Sequence, residues 1–436
     1  MKPLSRAETA FSSLQWLFFI FANTIVVPVS IGAAFELPSY ETAVILRTSL
    51  IFTGIACMLQ GLFGHRYPLM EGHSGVMWGV VLNLCAAAPS LGMSLTSVGG
   101  GIATGMMVSA VVVLILGAVR RLSLIRKVFT PMVMSVYLFL LTFQLILIFF
   151  KGMFTFSDNG SLVIPVSLFS ILVVVLVALL KIKGNRLLSN FSILIGMLAG
   201  WIGYVLLFPS ESMAGPESDG SFFLLFPFGE PNLNGGIVFV TFLACMMNLS
   251  NTIASVQAAA QIFEEPSSEK RLNASYLLTG TYSIIGAFFG LIPYAPFASS
   301  IGFLESTRIL HLRPFLIGGA LMSLLGVIPF LGGVLADMPI TVGNAVLFTA
   351  YLQLFGTSLK SLQGTVFNSV TIYRLAAPVL VGMSIMNMDP ETFSSLPVFL
   401  QPIVSNGFIV GVFISIALEK CVNWDRYGEI QKAESA

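Results

Sequence analysis

The sequence predicts an all-α, polytopic membrane protein with about fourteen transmembrane segments, arranged as two inverted sets of seven. Three observations carry that expectation. Of the 436 residues, 56% are hydrophobic and 9% are charged. A soluble globular chain carries roughly 25% charge, so this much apolar side chain needs lipid around it. The basic residues sort to one side of a simple up-and-down topology. Two interrupted segments recur at corresponding places in the two halves of the chain.

A span needs about 20 apolar residues. Segments of that kind lie near 11–34, 43–63, 69–87, 99–119, 128–150, 161–180, 188–208, 235–258, 274–292, 297–307, 314–334, 338–356, 364–386 and 396–418. With the N-terminus in the cytoplasm, all of the 21 basic residues except Arg47, Lys151 and Arg374 fall on the inner side. The positive-inside rule therefore favours this count, with both termini cytoplasmic. The outer loops are acidic or neutral, as in ESMAGPESDGS (211–221) and MDPET (388–392), and EEPSSEKR (264–271) is a mixed-charge inner loop. The N-terminal apolar run is too long for a signal peptide and reads as the first span. No appended soluble domain is expected.

Segment 1 contains FANTIVV (21–27) and segment 8 contains LSNTIAS (249–255), so Asn-Thr-Ile recurs. Two segments after each comes an interrupted one, YPLMEGHSGVMWG (67–79) and IPYAPFASSIGFL (292–304). Each opens on proline and then shows Gly and Ser where an unbroken helix would be apolar. Seven segments per half is an odd number, so the halves face opposite ways. The expected division is a first repeat at 1–208, an extracytoplasmic linker at 209–233 and a second repeat at 234–436. Inverted repeats with breaks at matching positions point to a secondary transporter with its site at the midplane.

The same features narrow the other classes. The net charge of +1 gives no case for nucleic acid as a partner. Cys57, Cys85, Cys245 and Cys421 form no CxxC pair, and His65, His73 and His311 lack metal spacing. With no nucleophile–base pair or metal cluster in view, an enzyme is not expected, nor a cofactor. Backbone that leaves helix geometry in lipid must be covered by protein or line a cavity. Gly72, Ser74 and Gly75 in segment 3, and Ala298, Ser299, Ser300 and Gly302 in segment 10, are therefore candidate binding positions; close helix packing is the competing explanation for any single one. Asn23, Asn248 and Asn251 lie in apolar segments, where an amide can offer a planar heterocycle both a donor and an acceptor. An interhelical hydrogen bond is the plainer reading, above all for Asn248. Phe297 stands beside the second break, where it can stack on a flat ligand.

The stretch Ser299-Ser300-Ile-Gly302-Phe-Leu-Glu-Ser-Thr307-Arg308 resembles the signature of the nucleobase–ascorbate transporters, the nucleobase:cation symporter-2 family of uracil, xanthine and urate permeases. Gly302, Thr307 and Arg308 match it; the first two positions do not. QWLFFIFANTIVVP (15–28), TGTYSIIGAFFGLIP (279–293) and MPITVGNAVLF (338–348) resemble further family blocks, so the resemblance spans nearly the full chain. It implies a seven-plus-seven fold with core and gate domains and short extended pieces in segments 3 and 10. It also implies a nucleobase substrate, leaning to a purine such as xanthine or urate, proton-coupled symport, a place in the cell membrane and a homodimer. Position by position it implies a site at Trp16, Asn23, Gly75, Asn251, Phe297, Ala298, Ser299 and Ser300.

The departures bear on coupling. Where the family carries glutamate in segment 8, aspartate in segment 9, Glu or Gln in segment 10 and His in segment 1, this chain has Asn251, Thr279, Ser299 and Trp16. Proton coupling needs a group that changes protonation, and intramembrane carboxylates usually supply it. Glu71, Glu305 and Asp337 remain. Glu71 with His73 is the expected relay, set against an inner-interface charge near Arg66. Glu305 is expected to pair with Arg308, and Asp337 to lie at the outer end of segment 12. Equilibrating uniport, an anion transporter of the same fold, and a membrane sensor that has lost transport stay open as alternatives.

Overall fold

A computed structural model of the protein describes residues 4–119, 121, 128–157, 160–185, 188–189, 191–208, 221–266, 268–297, 299–330, 338–360, 362 and 368–424. In chain order the first half holds α1 (Arg6–Thr24), α2 (Val26–Ala34), α3 (Ser39–Leu62), β1 (Glu71–His73), α4 (Gly75–Ala87), α5 (Leu95–Ala118), α6 (Pro131–Gly152), α7 (Ile164–Lys183) and α8 (Ser192–Leu207). The second half holds α9 (Gly235–Ile262), α10 (Glu269–Phe288), β2 (Tyr294–Pro296), α11 (Ser299–Thr307), α12 (Leu312–Val327), α13 (Ile340–Lys360), α14 (Ser369–Met386), α15 (Gln401–Val404) and α16 (Gly407–Cys421).

Among the described residues, seven helices are long and apolar enough to cross a membrane, counting α1 and α2 as one 29-residue span. Shorter apolar helices include α4, α8 and α12. The protein is thus a multi-pass membrane protein whose broken segments are half-length helices. Polar starts set several helix ends. Ser5 caps α1 in a reciprocal box with Glu8, Ser94 caps α5, and Asn234 caps α9.

The helices pack as two groups. In one, α12 lies against α1 and α3, and α5 against α9 and α10. In the other, α13 lies against α6, α7 and α8, and α14 and α16 close on α6. The groups meet where α4 touches α6 and α9 touches α16. Within the first group α3 and α12 approach closely at Gly54 of α3. A Cβ there would fall 2.2 Å from the Gly319 carbonyl oxygen and 2.2 Å from Ser323 Oγ of α12. Only a residue without a side chain lets these two backbones meet.

Between the halves runs a two-stranded antiparallel ribbon, Glu71 opposite Pro296, Gly72 opposite Ala295 and His73 opposite Tyr294. It extends at both ends, through Ser74 N–H to the Pro293 carbonyl (2.8 Å) and Phe297 N–H to the Met70 carbonyl (2.9 Å). The prolines explain why these stretches are not helical, since they remove donors and push the preceding residue to extended backbone. Pro296 stands in a non-hydrogen-bonded pair, so its missing N–H leaves the ladder intact.

Candidate functional site

The outer edges of the ribbon are capped by side chains. On the β2 edge, Asn248 Nδ2 donates to the Tyr294 carbonyl (3.0 Å) and Ser255 Oγ to the Pro296 carbonyl (3.2 Å), both from α9. On the β1 edge, the Glu71 N–H meets Cys57 Sγ of α3 at 3.3 Å. Backbone at membrane depth is thereby satisfied without helix geometry. Helix α4 begins at one end of the ribbon with Ser74 as its N-cap, and α11 at the other end with Ser299.

The candidate residues do not all converge. Gly75, the first residue of α4, faces α13: a Cβ there would lie 3.4 Å from the Tyr351 hydroxyl. Asn251 is half-buried on α9, and its Nδ2 donates to the Tyr137 hydroxyl of α6 (3.2 Å) and to Asn248 Oδ1 (3.4 Å). Gly75, Asn251, Tyr137 and Tyr351 thus stand on the seam between the two helix groups. Phe297 is half-buried, with its ring against Gly72, where a Cβ would lie 2.6 Å from a ring carbon. Ser299 is exposed. Ser300 is buried and its hydroxyl accepts the N–H of Met70 (3.0 Å), the residue before β1, which ties α11 to the first half of the chain.

Asn23 donates to the Phe19 carbonyl one turn back on its own helix (2.8 Å). Trp16 is fully buried among Phe19, Phe303 and Phe315, with its ring 4.5 Å from that of Phe303. It packs α1 against α11 and α12. Ala298 and Asp337 lie outside the described residues.

The structure does not pair Glu71 with His73. Alternate residues of a strand share a face, but the two side chains take different partners. His73 Nε2 meets Ser49 Oγ at 2.6 Å, and Glu71 Oε1 meets His65 Nε2 at 3.3 Å. The chain reverses at Arg66, whose φ is +63°, and this brings His65 back over the strand. Arg66 itself is exposed and does not pair with Glu71. Nor do Glu305 and Arg308 form an ion pair among the described residues. Tyr282 of α10 donates to Glu71 Oε2 (3.1 Å), and Thr279, where the resemblance places an aspartate, lies 3.3 Å from that tyrosine's hydroxyl.

Sequence reasoning missed Tyr137, Tyr351, His65 and Tyr282. A tyrosine in mid-membrane is itself a signal, because its hydroxyl needs a partner there. A cavity of about 330 Å³ lies apart from these groups, between α9 and α16, and Leu243, Met246, Met247 and Phe413 make its walls apolar. It offers a nucleobase nothing to bond.

A model described as "Permease family" (Xan_ur_permease) matches residues 7–391. The chain belongs to this permease family. The permease is 27% identical over 422 residues to "Putative purine permease YwdJ" of Bacillus subtilis (strain 168), covering 95% of this chain and 96% of that protein. It is 24% identical over 420 residues to "Uric acid permease PucJ" of the same organism, covering 93% and 90%. Among solved structures, the transmembrane domain of the cyanobacterial bicarbonate transporter BicA superposes with a TM-score of 0.63 at 12% identity, over 92% of the permease and 98% of that chain. At that identity the likeness speaks to the fold. It agrees with the seven-plus-seven architecture and its core and gate groups.

Proposed function

We propose that this permease carries a purine nucleobase such as xanthine or urate across the cell membrane. One observation supports this above the others: the half-buried amide of Asn251 sits beside the Tyr137 hydroxyl on the seam between the helix groups. An amide and a phenol together offer donors and acceptors in the pattern a purine edge carries. The Tyr351 hydroxyl and the N–H groups at the start of α4 extend that edge, and Phe297 stacks on the ring. The relatives named as purine and uric acid permeases favour the same class of substrate.

The carrier works by elevator or rocking motion of the α1–α5/α9–α12 group against the rest. The repeats are 1–208 and 234–436, joined by 209–233. Both termini are cytoplasmic, the assembly is a homodimer, and transport is coupled to protons.

The test is uptake of radiolabelled uracil, xanthine, hypoxanthine and urate in cells lacking their own permeases, with and without a protonophore. Accumulation of a purine that collapses with the protonophore is the expected result. Equilibration without accumulation would replace symport by uniport. No uptake of any base by protein shown to be in the membrane would remove the nucleobase reading. In the same assay Asn251→Ala is expected to raise KM about tenfold, equivalent to about 1.4 kcal/mol and in range for a lost buried hydrogen-bonding group. An unchanged KM would take Asn251 out of the site.

A second reading, an anion transporter, draws on the fold likeness to the bicarbonate transporter and on the helix N-termini at the ribbon's ends. Bicarbonate or sulfate uptake by vesicles holding the purified protein, with no base taken up, would select it.

A further inference from the structure

Among the described residues Glu71 is the one carboxylate whose side chain is fully enclosed. Its surroundings supply donors and no fixed positive charge. His65 Nδ1 accepts the Tyr67 N–H (3.1 Å), so the ring's hydrogen is on Nε2, which donates to Glu71 Oε1 (3.3 Å). On the other side the Tyr282 hydroxyl donates to Oε2 (3.1 Å). The remaining titratable groups near the carboxylate are Cys57 on α3, His73 on the same strand and Tyr294 on β2. Farther out, Tyr67 donates to Glu265 (3.2 Å), which pairs with Arg271. That arginine is already matched by a carboxylate.

An enclosed carboxylate without a cation at hand takes a proton as its counterion. We infer that Glu71, held between His65 and Tyr282, is the proton-binding site of this permease, and that the proton it takes up is the one carried with the substrate.

The hydrogen bonds accommodate both states. With Glu71 ionised, both partners donate to it. When a proton arrives, an O–H bond forms on Oε2 and that hydrogen points at the Tyr282 oxygen. The tyrosine then turns its own hydrogen to Thr279 Oγ1, 3.3 Å away, while Gln60 Nε2 continues to donate to it at 2.8 Å. Release of the proton reverses the turn. Glu71 also opens the strand whose next residue, Gly72, lies under the Phe297 ring. Its charge state therefore acts on the backbone beneath the proposed stacking residue.

The inference rests on the permease reading only for what the proton does, so its test has two arms. Infrared difference spectra of the purified protein across a pH series report the carbonyl stretch of a protonated carboxyl. A band that titrates in the wild type and is missing in Glu71→Gln is expected. No titrating band, or one that survives in Glu71→Gln, overturns the assignment whether or not a base is transported. In vesicles, Glu71→Gln keeps the shape and hydrogen bonds of the protonated acid. It is expected to show counterflow exchange of the base without accumulation, and without response to a protonophore. Protonophore-sensitive accumulation by Glu71→Gln overturns the inference. His65→Gln retains a donor towards Glu71, and is expected to keep the band and move the pH at which it titrates. Failure of the wild type to move any base would count against the permease reading alone, because the infrared arm still decides on Glu71.

Discussion

Replacing Asn248 by leucine is expected to reduce transport at least tenfold while the protein still reaches the membrane. Leucine nearly matches asparagine in shape, so the packing of a residue only 1% exposed is kept. What goes is the bond to the Tyr294 carbonyl and the acceptor for Asn251 Nδ2. A buried carbonyl left without a donor costs about 1–3 kcal/mol. The strand can regain a partner only by shifting, and Asn251 keeps only its bond to the Tyr137 hydroxyl. Ser255→Ala removes the other clamp on β2 and is expected to cost less, about two- to threefold, since Asn248 remains. Uptake kinetics normalised to surface expression read both. Wild-type KM and Vmax in Asn248→Leu would show that β2 holds its place without the Asn248 bond.

The second large effect is on the fold. Gly54→Val is expected to prevent stable assembly, seen as loss of a monodisperse peak in detergent and a marked fall in Tm. The new Cβ would sit 2.2 Å from the Gly319 carbonyl and 2.7 Å from the Ser323 N–H nitrogen, both backbone atoms. Neither can turn aside as a side chain would, so α3 and α12 must separate along their contact. Overpacking of this kind typically costs about 1–3 kcal/mol, and more where backbone must move. Gly356→Ala is the control: it is helical, with nothing within 4 Å of an added Cβ. It is expected to leave Tm unchanged or slightly higher, as alanine is the better helix former. Equal melting of the two variants would show that the α3–α12 contact has slack.

The spans were legible because lipid imposes one rule on every residue, and long apolar runs obey it. Both breaks were legible for the opposite reason, since proline, glycine and serine in such a run violate the rule together. What the sequence did not disclose was who meets whom. His65 and Glu71 are six positions apart with Pro68 between them, and no periodicity predicts that a turn at Arg66 folds one onto the other. The step of two from Glu71 to His73 suggests a pair, but on that shared face His73 meets Ser49 of α3 while Glu71 meets His65 and Tyr282. Asn248 was read as an ordinary link between helices. It instead bonds a strand carbonyl that exists only because the second half of the chain is broken. Trp16 matches a site residue only by resemblance, and the sequence did not show that three phenylalanine rings surround it.

The ribbon also bears on how the protein is made. Met70 and Ser300, bonded in the finished molecule, stand 230 positions apart in the chain. When β1 leaves the ribosome its partner has yet to be translated, and an unpaired strand edge cannot rest in hydrocarbon. The first seven segments must therefore wait, shielded by the insertion machinery or by neighbouring helices, until β2 arrives to close the ladder. Closing so long a loop is slow in any chain. Completion of the carrier is thus tied to the late emergence of three residues, Tyr294 to Pro296.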